Sequence, residues 1–184
     1  MKKESTAKYI FRLTATLLAI CAFVALALAG VNAITKDKIA ANKAAKTTAA
    51  LQQVLPGVAG VQEVPFVDAS GIVKKVYSGE TGYAVEVAPN GFGGAITMMV
   101  GISNEGKVLG ISIISHAETP GLGAVAAANT DKGAAFRGQF AGLVSGITIG
   151  SGENQIDSLS GATISSQAIV NGVNAALDCV KNMG

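Results

Sequence analysis

The chain has 184 residues, of which 49% are hydrophobic and 14% are charged, and its formal net charge is +2. Residues 1–46 carry eight Lys or Arg and two Asp or Glu, whereas residues 47–184 carry six and ten, so the larger segment is acidic and argues against a nucleic-acid partner. Two cysteines and one histidine argue against a disulfide framework and against zinc, haem and iron–sulfur centres, so redox chemistry would need an organic cofactor.

Residues 13–34 form an uncharged, mostly apolar segment that is long enough to cross a bilayer core of about 30 Å as a helix. A cleaved secretory signal is the alternative, because a basic segment precedes the run and Ala27-Leu28-Ala29 resembles a cleavage site. The apolar run exceeds the roughly 7–15 residues of a signal's central region and continues into a helix-forming segment. These features favour an uncleaved membrane anchor.

The orientation of this anchor is predicted from its flanks. Basic residues occur on both sides, but the orientation rule gives most weight to short flanks, here residues 1–12. We expect residues 1–12 to be a cytoplasmic tail and the C-terminal domain to lie on the extracytoplasmic side of the cell membrane. Residues 13–34 contain no Asp, Glu, Lys, Arg or His, so an ion pathway would lie in partner subunits.

Residues 35–57 connect the anchor to the rest of the chain. They are rich in Ala, Lys and Gln, which favour helices, and Leu55-Pro56-Gly57 predicts the end of the helix. The composition fits either a helical stalk or a partly ordered linker.

From residue 58 onward, short apolar runs alternate with turn residues. Strands are predicted at residues 83–87, 95–102, 108–114 and 145–149, with turns at residues 90–94 and 104–107. Because these two connections are of hairpin length, the sheet should be largely antiparallel. An apolar stripe predicts a C-terminal helix over residues 166–181. The predicted fold class is α+β, with residues 58–184 as one domain.

The turn before this helix, DSLSGATISS at residues 157–166, is rich in small residues and hydroxyls. Such a turn presents backbone N–H groups at the positive end of the helix dipole, which favours a phosphate group. Gly161 and Ala162 allow close approach of a ligand, and Ser165 or Ser166 can cap the helix or donate to phosphate oxygens. Ordinary helix capping also requires such residues, so the string alone leaves both interpretations open.

Two motifs add specificity. The pattern Asp157-x-x-Ser160-Gly161-Ala162-Thr163 resembles the flavinylation motif of the FMN-binding domain family found in Rnf and Na⁺-pumping NADH:quinone oxidoreductase complexes. The segment ETPGLG at residues 118–123 resembles a second motif of the same family. The resemblance covers essentially the whole chain, and the short length with SGAT near the C-terminus is most similar to the G subunits of Rnf complexes.

The resemblance implies that a flavin transferase esterifies the phosphate of FMN to Thr163 and recognises Asp157. The Pro120-Gly121 turn should hold Thr119 and Leu122 close together beside the flavin ring. The resemblance also implies an electron carrier without catalytic residues of its own, in a membrane complex that couples ferredoxin and NAD⁺ to Na⁺ or H⁺ translocation. The other cofactor-binding residues that it implies are Ser160, Gly161, Ala162, Ser165 and Ser166 at the phosphate, and Glu118, Thr119, Gly121, Leu122 and Gly123 at the ring.

Two other interpretations stay open at this point. One is a covalent flavoprotein of another extracytoplasmic electron-transfer chain, and the other is a domain that binds a phosphorylated ligand reversibly at the same turn. His116 is expected to be a surface or turn residue. The glycines of residues 91–94 are expected to form a hairpin turn, in which Phe92 is a candidate ligand contact.

Overall fold

The computed structural model describes residues 6–55, 61–68, 70–150 and 152–183. Two compact units are present, Met1–Ala44 and Ala45–Gly184. The helices are α1 (Thr6–Val54), α2 (Asp131–Gly138) and α3 (Thr163–Lys181), with a short 3₁₀ helix at Gly123–Ala127. The strands are β1 (Gln62–Val64), β2 (Val73–Gly79), β3 (Gly82–Val87), β4 (Thr97–Ser103), β5 (Val108–Ser115), β6 (Thr148–Ile149) and β7 (Gln155–Ile156).

Helix α1 carries the apolar segment predicted to be the anchor. Among the described residues it is the one helix long and apolar enough to cross a membrane, and its apolar stretch has no buried residues. Residues 35–54 continue the same helix, so the helical alternative for the connecting segment is confirmed. Residues 1–5 of the predicted tail, and Pro56 and Gly57 of the predicted stop, lie outside the described residues.

The larger sheet has the order β1-β2-β3-β4-β5, and every neighbouring pair is antiparallel. The prediction of an antiparallel α+β domain is confirmed, and β3, β4 and β5 match the predicted strands at residues 83–87, 95–102 and 108–114. Strands β1 and β2 were not predicted, because β1 has three residues and Lys74-Lys75 interrupts the alternation of β2.

The two faces of the sheet have separate cores. Val85, Val87 and Val100 belong to the core beneath α3, whereas their neighbours Ala84 and Met99 pack with the end of α1. This division follows from the strand period of two, which sends successive side chains to opposite faces. The residues that α1 contributes to the second core are Ala50, Leu51, Val54 and, directly after the helix, Leu55.

The C-terminal helix differs from its prediction at the N-terminal end. It begins at Thr163 instead of residue 166, and its N-cap is Ala162, which makes no side-chain capping hydrogen bond. Ser165 and Ser166 therefore lie inside the first turn, and the prediction that one of them caps the helix is wrong. The strand predicted at residues 145–149 is limited to β6, which pairs with β7 in parallel. Helix α2 was not predicted.

Candidate functional site

Three loops of the larger unit surround a cavity of about 380 Å³. They are the turn after β3, the loop after β5 and the turn that leads into α3, and we call the space between them the three-loop cavity. Its volume lies within the range of roughly 300–1,000 Å³ that is typical of small-molecule sites. The residues that line it are Phe92, Glu118, Thr119, Leu122, Gly123, Gly161, Ala162, Thr163, Ile164 and Ser165.

The loop after β5 contains the tight turn that the sequence predicted. The Leu122 N–H donates to the Thr119 carbonyl at 3.1 Å, which closes a β-turn around Pro120 and Gly121. Gly121 has a φ of +79°, as position i+2 of a type II turn requires, and proline suits position i+1. The turn holds Thr119 and Leu122 on the wall of the cavity.

Glu118 joins all three loops. The residue is 6% exposed, and its carboxylate accepts hydrogen bonds from the Gly93 N–H at 2.9 Å and from the Ser165 hydroxyl. Gly93 belongs to the turn after β3 and Ser165 to the first turn of α3. These contacts fix the three loops around the cavity.

Glycines permit this close packing. A Cβ atom at Gly91 would overlap the Glu118 carboxylate, and one at Gly93 would overlap the Ala117 carbonyl. A Cβ atom at Gly123 would overlap the Ser165 hydroxyl and would lie 2.6 Å from Glu118 Oε2. Glycine is therefore required at these three positions of the turn after β3 and the loop after β5, because another atom occupies the space that a side chain would need.

The turn into α3 presents Thr163 to the cavity. Gly161 has a φ of +71°, which favours glycine, and Thr163 is exposed at the first position of the helix. Because Ala162 offers no capping side chain, the N–H groups of the first turn keep the partial positive charge of a helix N-terminus unopposed by a cap. An anionic group beside Thr163 would be stabilised there.

The predicted site residues divide into two groups. Glu118, Thr119, Leu122 and Gly123 line the cavity together with Gly161, Ala162, Thr163 and Ser165. Gly121 shapes the turn, and Ser160 is exposed beside Gly161, but neither lines the cavity.

Ser166 is engaged inside the protein. It is fully buried, its hydroxyl donates to the Ala162 carbonyl at 3.0 Å and it accepts from the Leu159 N–H at 3.0 Å. Ser166 therefore braces the turn into α3. The prediction that it donates to a ligand finds no support in these contacts.

Asp157 has an exposed side chain outside the cavity, and Gln139 holds its backbone. The Asp157 N–H donates to Gln139 Oε1 at 2.7 Å, and Gln139 Nε2 donates to the Asp157 carbonyl at 3.3 Å. These bonds hold the backbone of Asp157 in place, and its exposed carboxylate lies on the surface, six residues before Thr163 in the sequence.

Exposed apolar side chains form the mouth of the cavity. Phe92 is 70% exposed, Ile164 is 58% exposed and Leu122 is 44% exposed, and all three line the cavity. Phe92 was predicted only as a candidate contact, and Ile164 was not predicted. The sequence did indicate Ile164, because it is an apolar residue next to Thr163 that does not belong to the apolar stripe of α3.

The electrostatics of the cavity are set by dipoles and one buried carboxylate. None of the described lining residues is a Lys, Arg or His. A phosphate group at this place would be held by backbone N–H groups and hydroxyls, without an ion pair. The cavity thus combines an anion-favouring helix terminus with an apolar mouth.

Comparison with known proteins matches both parts of the chain. The FMN-binding domain model matches residues 91–178, which include every residue of the cavity, and the RnfG N-terminal region model matches residues 1–54. The G subunit of a Na⁺-translocating ferredoxin:NAD⁺ oxidoreductase complex from Acetobacterium woodii is 33% identical, over 96% of this chain and 94% of the relative. The chain belongs to the family of Rnf complex G subunits. Members of this family are electron-transport flavoproteins, and this chain has their FMN-binding domain and, among its described residues, one apolar helix that suits a membrane anchor.

Other G subunits show the same degree of similarity. The G subunit of a proton-translocating ferredoxin:NAD⁺ oxidoreductase complex from Clostridium ljungdahlii is 33% identical, over 98% of this chain and 96% of the relative. The G subunit of an ion-translocating oxidoreductase complex from Methanosarcina acetivorans is 33% identical, over 96% and 97%. Because the coupling ion differs between the first two relatives, similarity to them does not assign one to this chain.

The three-loop cavity fits FMN as judged by its own residues. A flavin has a flat, largely apolar ring system and a phosphate at the end of a polyhydroxyl chain. The mouth offers apolar contact area through Phe92, Leu122 and Ile164, and the N-terminus of α3 would favour the phosphate. Gly161 lies close to Leu122. A Cβ atom at residue 161 would be 3.2 Å from Leu122 Cδ2, so the turn into α3 and the loop after β5 are near each other here.

Proposed function

We propose that this chain carries electrons through an FMN that is covalently attached by a phosphoester to Thr163, as one subunit of a membrane-bound, ion-translocating ferredoxin:NAD⁺ oxidoreductase complex. The observation that carries the proposal is the position of Thr163, exposed at the first residue of α3 and on the wall of the three-loop cavity. Bound FMN accepts and releases electrons, and the residues of the chain hold and orient it.

The described residues of the three-loop cavity include no Lys or Arg to neutralise a phosphate, which favours a covalent bond over reversible binding. A non-covalent ligand with a dissociation constant of about 1 μM and an association rate near 10⁶ M⁻¹s⁻¹ would leave within about a second. On the extracytoplasmic side, where we place residues 58–184, released flavin would be lost. An ester to Thr163 prevents this loss, and it lowers the charge of the phosphate that Lys or Arg would otherwise neutralise.

Formation of the ester requires an activated flavin. Thr163 Oγ1 would form a bond to the flavin phosphorus, its hydroxyl proton would pass to a base of the transferase, and the bond from phosphorus to a leaving nucleoside monophosphate would break. The donor is then a flavin dinucleotide, and no atom changes its oxidation state. Thr163 is accessible for this step, and Asp157, whose backbone is held by Gln139 and whose side chain is exposed, offers the transferase a recognition point outside the cavity.

The remaining roles follow from this arrangement. Gly161 and Ala162 let the phosphate approach the backbone, while Glu118 and Gly123 position the loop that carries Thr119 and Leu122. Residues 1–12 form a cytoplasmic tail in this proposal. We place the ion pathway in partner subunits, because residues 13–34 carry no charged residue. The sites for ferredoxin and NAD⁺ also lie in partner subunits in this proposal.

The test is co-production of the full chain with a flavin transferase, followed by a denaturing gel viewed under ultraviolet light. We expect a fluorescent band for the wild type and none for Thr163→Val, which keeps the shape of the side chain but removes the hydroxyl. Thr119→Val is the matched control, because Thr119 is an exposed threonine of the same cavity. Its band should keep its fluorescence.

The possible outcomes separate the interpretations. A dark wild-type band, with the transferase active on a control protein, would contradict covalent attachment and favour reversible binding of a phosphorylated ligand. A fluorescent Thr163→Val band would place the ester on another residue. Co-purification of the fluorescent chain with other Rnf proteins would support this complex over another electron-transfer chain.

A further inference from the structure

A second cavity, of about 520 Å³, lies within the unit Ala45–Gly184 and shares none of its residues with the three-loop cavity. We call it the basic cavity. Its walls come from the end of α1, the end of β5, the 3₁₀ helix and α2. The residues that line it are Lys46, Ala49, Ala50, Gln53, Ser112, Ile113, Ile114, Ser115, His116, Ala127, Asn129 and Arg137.

Three basic residues from three different elements meet at this cavity. They are Lys46 of α1, His116 after β5 and Arg137 of α2. Arg137 is the one arginine of the sequence after residue 12, and His116 is the one histidine. No Asp or Glu occurs among the described lining residues, and the ion pairs found in the described part of the chain involve Lys75 and Lys107. In a segment with excess acidic residues, this convergence favours an anion.

The hydrogen bonds of the lining residues use up acceptors and leave donors. Gln53 Oε1 accepts from the Ser112 hydroxyl at 2.8 Å, which leaves the two N–H bonds of its amide. His116 Nδ1 accepts from the Glu118 N–H at 3.2 Å, so the proton of a neutral imidazole lies on Nε2. The Arg137 guanidinium can only donate. Each of these groups therefore offers the cavity a donor.

Hydrogen bonds to backbone carbonyls hold Arg137 in place, and two alanines leave space along the side of α1 that faces the cavity. Arg137 Nη1 donates to the Ala126 carbonyl at 2.6 Å and to the Ala128 carbonyl at 3.1 Å, which uses one of its two terminal nitrogens. Four lining residues share one face of α1, because they follow the pattern i, i+3, i+4, i+7: Lys46, Ala49, Ala50 and Gln53. The two alanines leave space between the lysine and the glutamine.

We propose that the basic cavity binds a phosphate monoester or diester of a small polyhydroxy alcohol. Lys46, His116 and Arg137 would hold the phosphate, and Gln53, Ser115 and Asn129 would bind the hydroxyl groups. An inorganic ion would leave most of the volume unfilled, whereas an organic phosphate of this class suits a small-molecule site. The phosphate belongs either to a free metabolite or to the headgroup of an anionic phospholipid.

The single histidine provides a direct measurement. We would record the imidazole NMR signals of His116 in the untagged, flavin-loaded full chain, held in nanodiscs of phosphatidylcholine, while glycerol 3-phosphate is added. A saturable shift identifies the free ester as a ligand. A shift seen only in nanodiscs that contain phosphatidylglycerol identifies the lipid headgroup. The absence of a saturable shift in both experiments overturns the proposal.

Variants assign the signal to this cavity. Lys46→Gln should weaken binding about tenfold or more, the size expected when one charge-assisted hydrogen bond is lost. Lys132→Gln is the control, because Lys132 is an exposed lysine of α2 that does not line the cavity, and it should leave binding unchanged. Equal binding by Lys46→Gln and the wild type would contradict the proposal. Arg137→Gln is a second variant, to be used if its thermal unfolding matches that of the wild type.

Discussion

At the scale of single residues, Glu118 joins the three loops that surround the three-loop cavity. Its buried carboxylate accepts from a backbone N–H of the turn after β3 and from a hydroxyl of α3, and it is itself part of the loop after β5. These three segments are far apart in the sequence. One side chain thus connects the element that carries Thr163 with the elements that form the mouth of the cavity.

Replacing Glu118 tests this structural role. Glu118→Ala leaves the Gly93 N–H and the Ser165 hydroxyl without their acceptor, which should lower the free energy of unfolding by about 2–4 kcal/mol. Glu118→Gln should cost roughly 1 kcal/mol or less, because the amide oxygen can accept from Gly93 and the amide nitrogen can donate to Ser165. Chemical unfolding of the full chain in detergent measures both. Equal losses for the two variants would contradict the hydrogen-bonding role.

Gly123 tests the requirement for close packing. Gly123→Ala places a methyl group against Ser165 and Glu118, and we expect a loss of about 1–3 kcal/mol in unfolding free energy and a weaker flavin band on the denaturing gel. Gly138→Ala at the end of α2 is the matched control, because a Cβ atom there meets nothing within 4 Å. This control should be neutral or slightly stabilising. A Gly123→Ala chain that behaves like Gly138→Ala would refute the packing argument.

The sequence predicted which residues lie at this cavity better than it predicted the contacts that support them. Thr163, Gly161 and the turn at Pro120-Gly121 were identifiable because motif spacing and glycine conformation are local properties. The roles of Ser165 and Ser166 were not identifiable, because they depend on where α3 begins and on partners that tertiary structure brings near, such as Glu118.

At the scale of elements, the end of α1 is part of the folded domain. Leu51, Val54 and Leu55 are buried against Ala84, Met99 and Ile114 of the sheet. A Cβ atom at residue 101 would overlap the Val54 carbonyl, so a glycine in β4 permits this contact. Helix and sheet are therefore in direct contact. The helix residues of this contact were predicted to belong to the stalk of residues 35–57.

Truncation of this apolar contact should destabilise the domain. Leu51→Ala is expected to lower the free energy of unfolding by about 2–3 kcal/mol, because Leu51 is buried in the second core. Gln52→Ala, at an exposed neighbouring position of the same helix, should change it by less than about 0.5 kcal/mol. Chemical unfolding in detergent again provides the measurement, and similar values for the two variants would contradict the packing of α1 on the sheet.

The elements differ in how well the sequence predicted them. Strands β3, β4 and β5 are apolar and bounded by turn residues, so their pattern was clear, and residues 13–34 were identifiable from hydropathy alone. Strand β2 was missed because the consecutive residues Lys74 and Lys75 are both exposed. A register shift between Val73 and Lys75 breaks the alternation of buried and exposed side chains. Local pattern does not report such irregularities.

At the scale of the whole molecule, charge and hydropathy divide the chain into segments with different tasks. The basic residues concentrate before residue 47, around the apolar segment, whereas the three-loop cavity belongs to the acidic remainder. This division fits a carrier that is fixed to a membrane by one helix and passes electrons through a domain outside it. Family membership supports the complex, and the covalent attachment that we propose would explain how the flavin is retained.

The most direct test of this account is tandem mass spectrometry of the tryptic peptide of residues 138–181, which has no internal trypsin site and contains Thr163. The peptide would be taken from full chain produced with a flavin transferase and then denatured. The account predicts a mass increase equal to FMN minus water, with fragment ions that place it on Thr163. An unmodified peptide from a chain that had released its flavin on denaturation, or fragment ions that place the flavin on another residue, would contradict it.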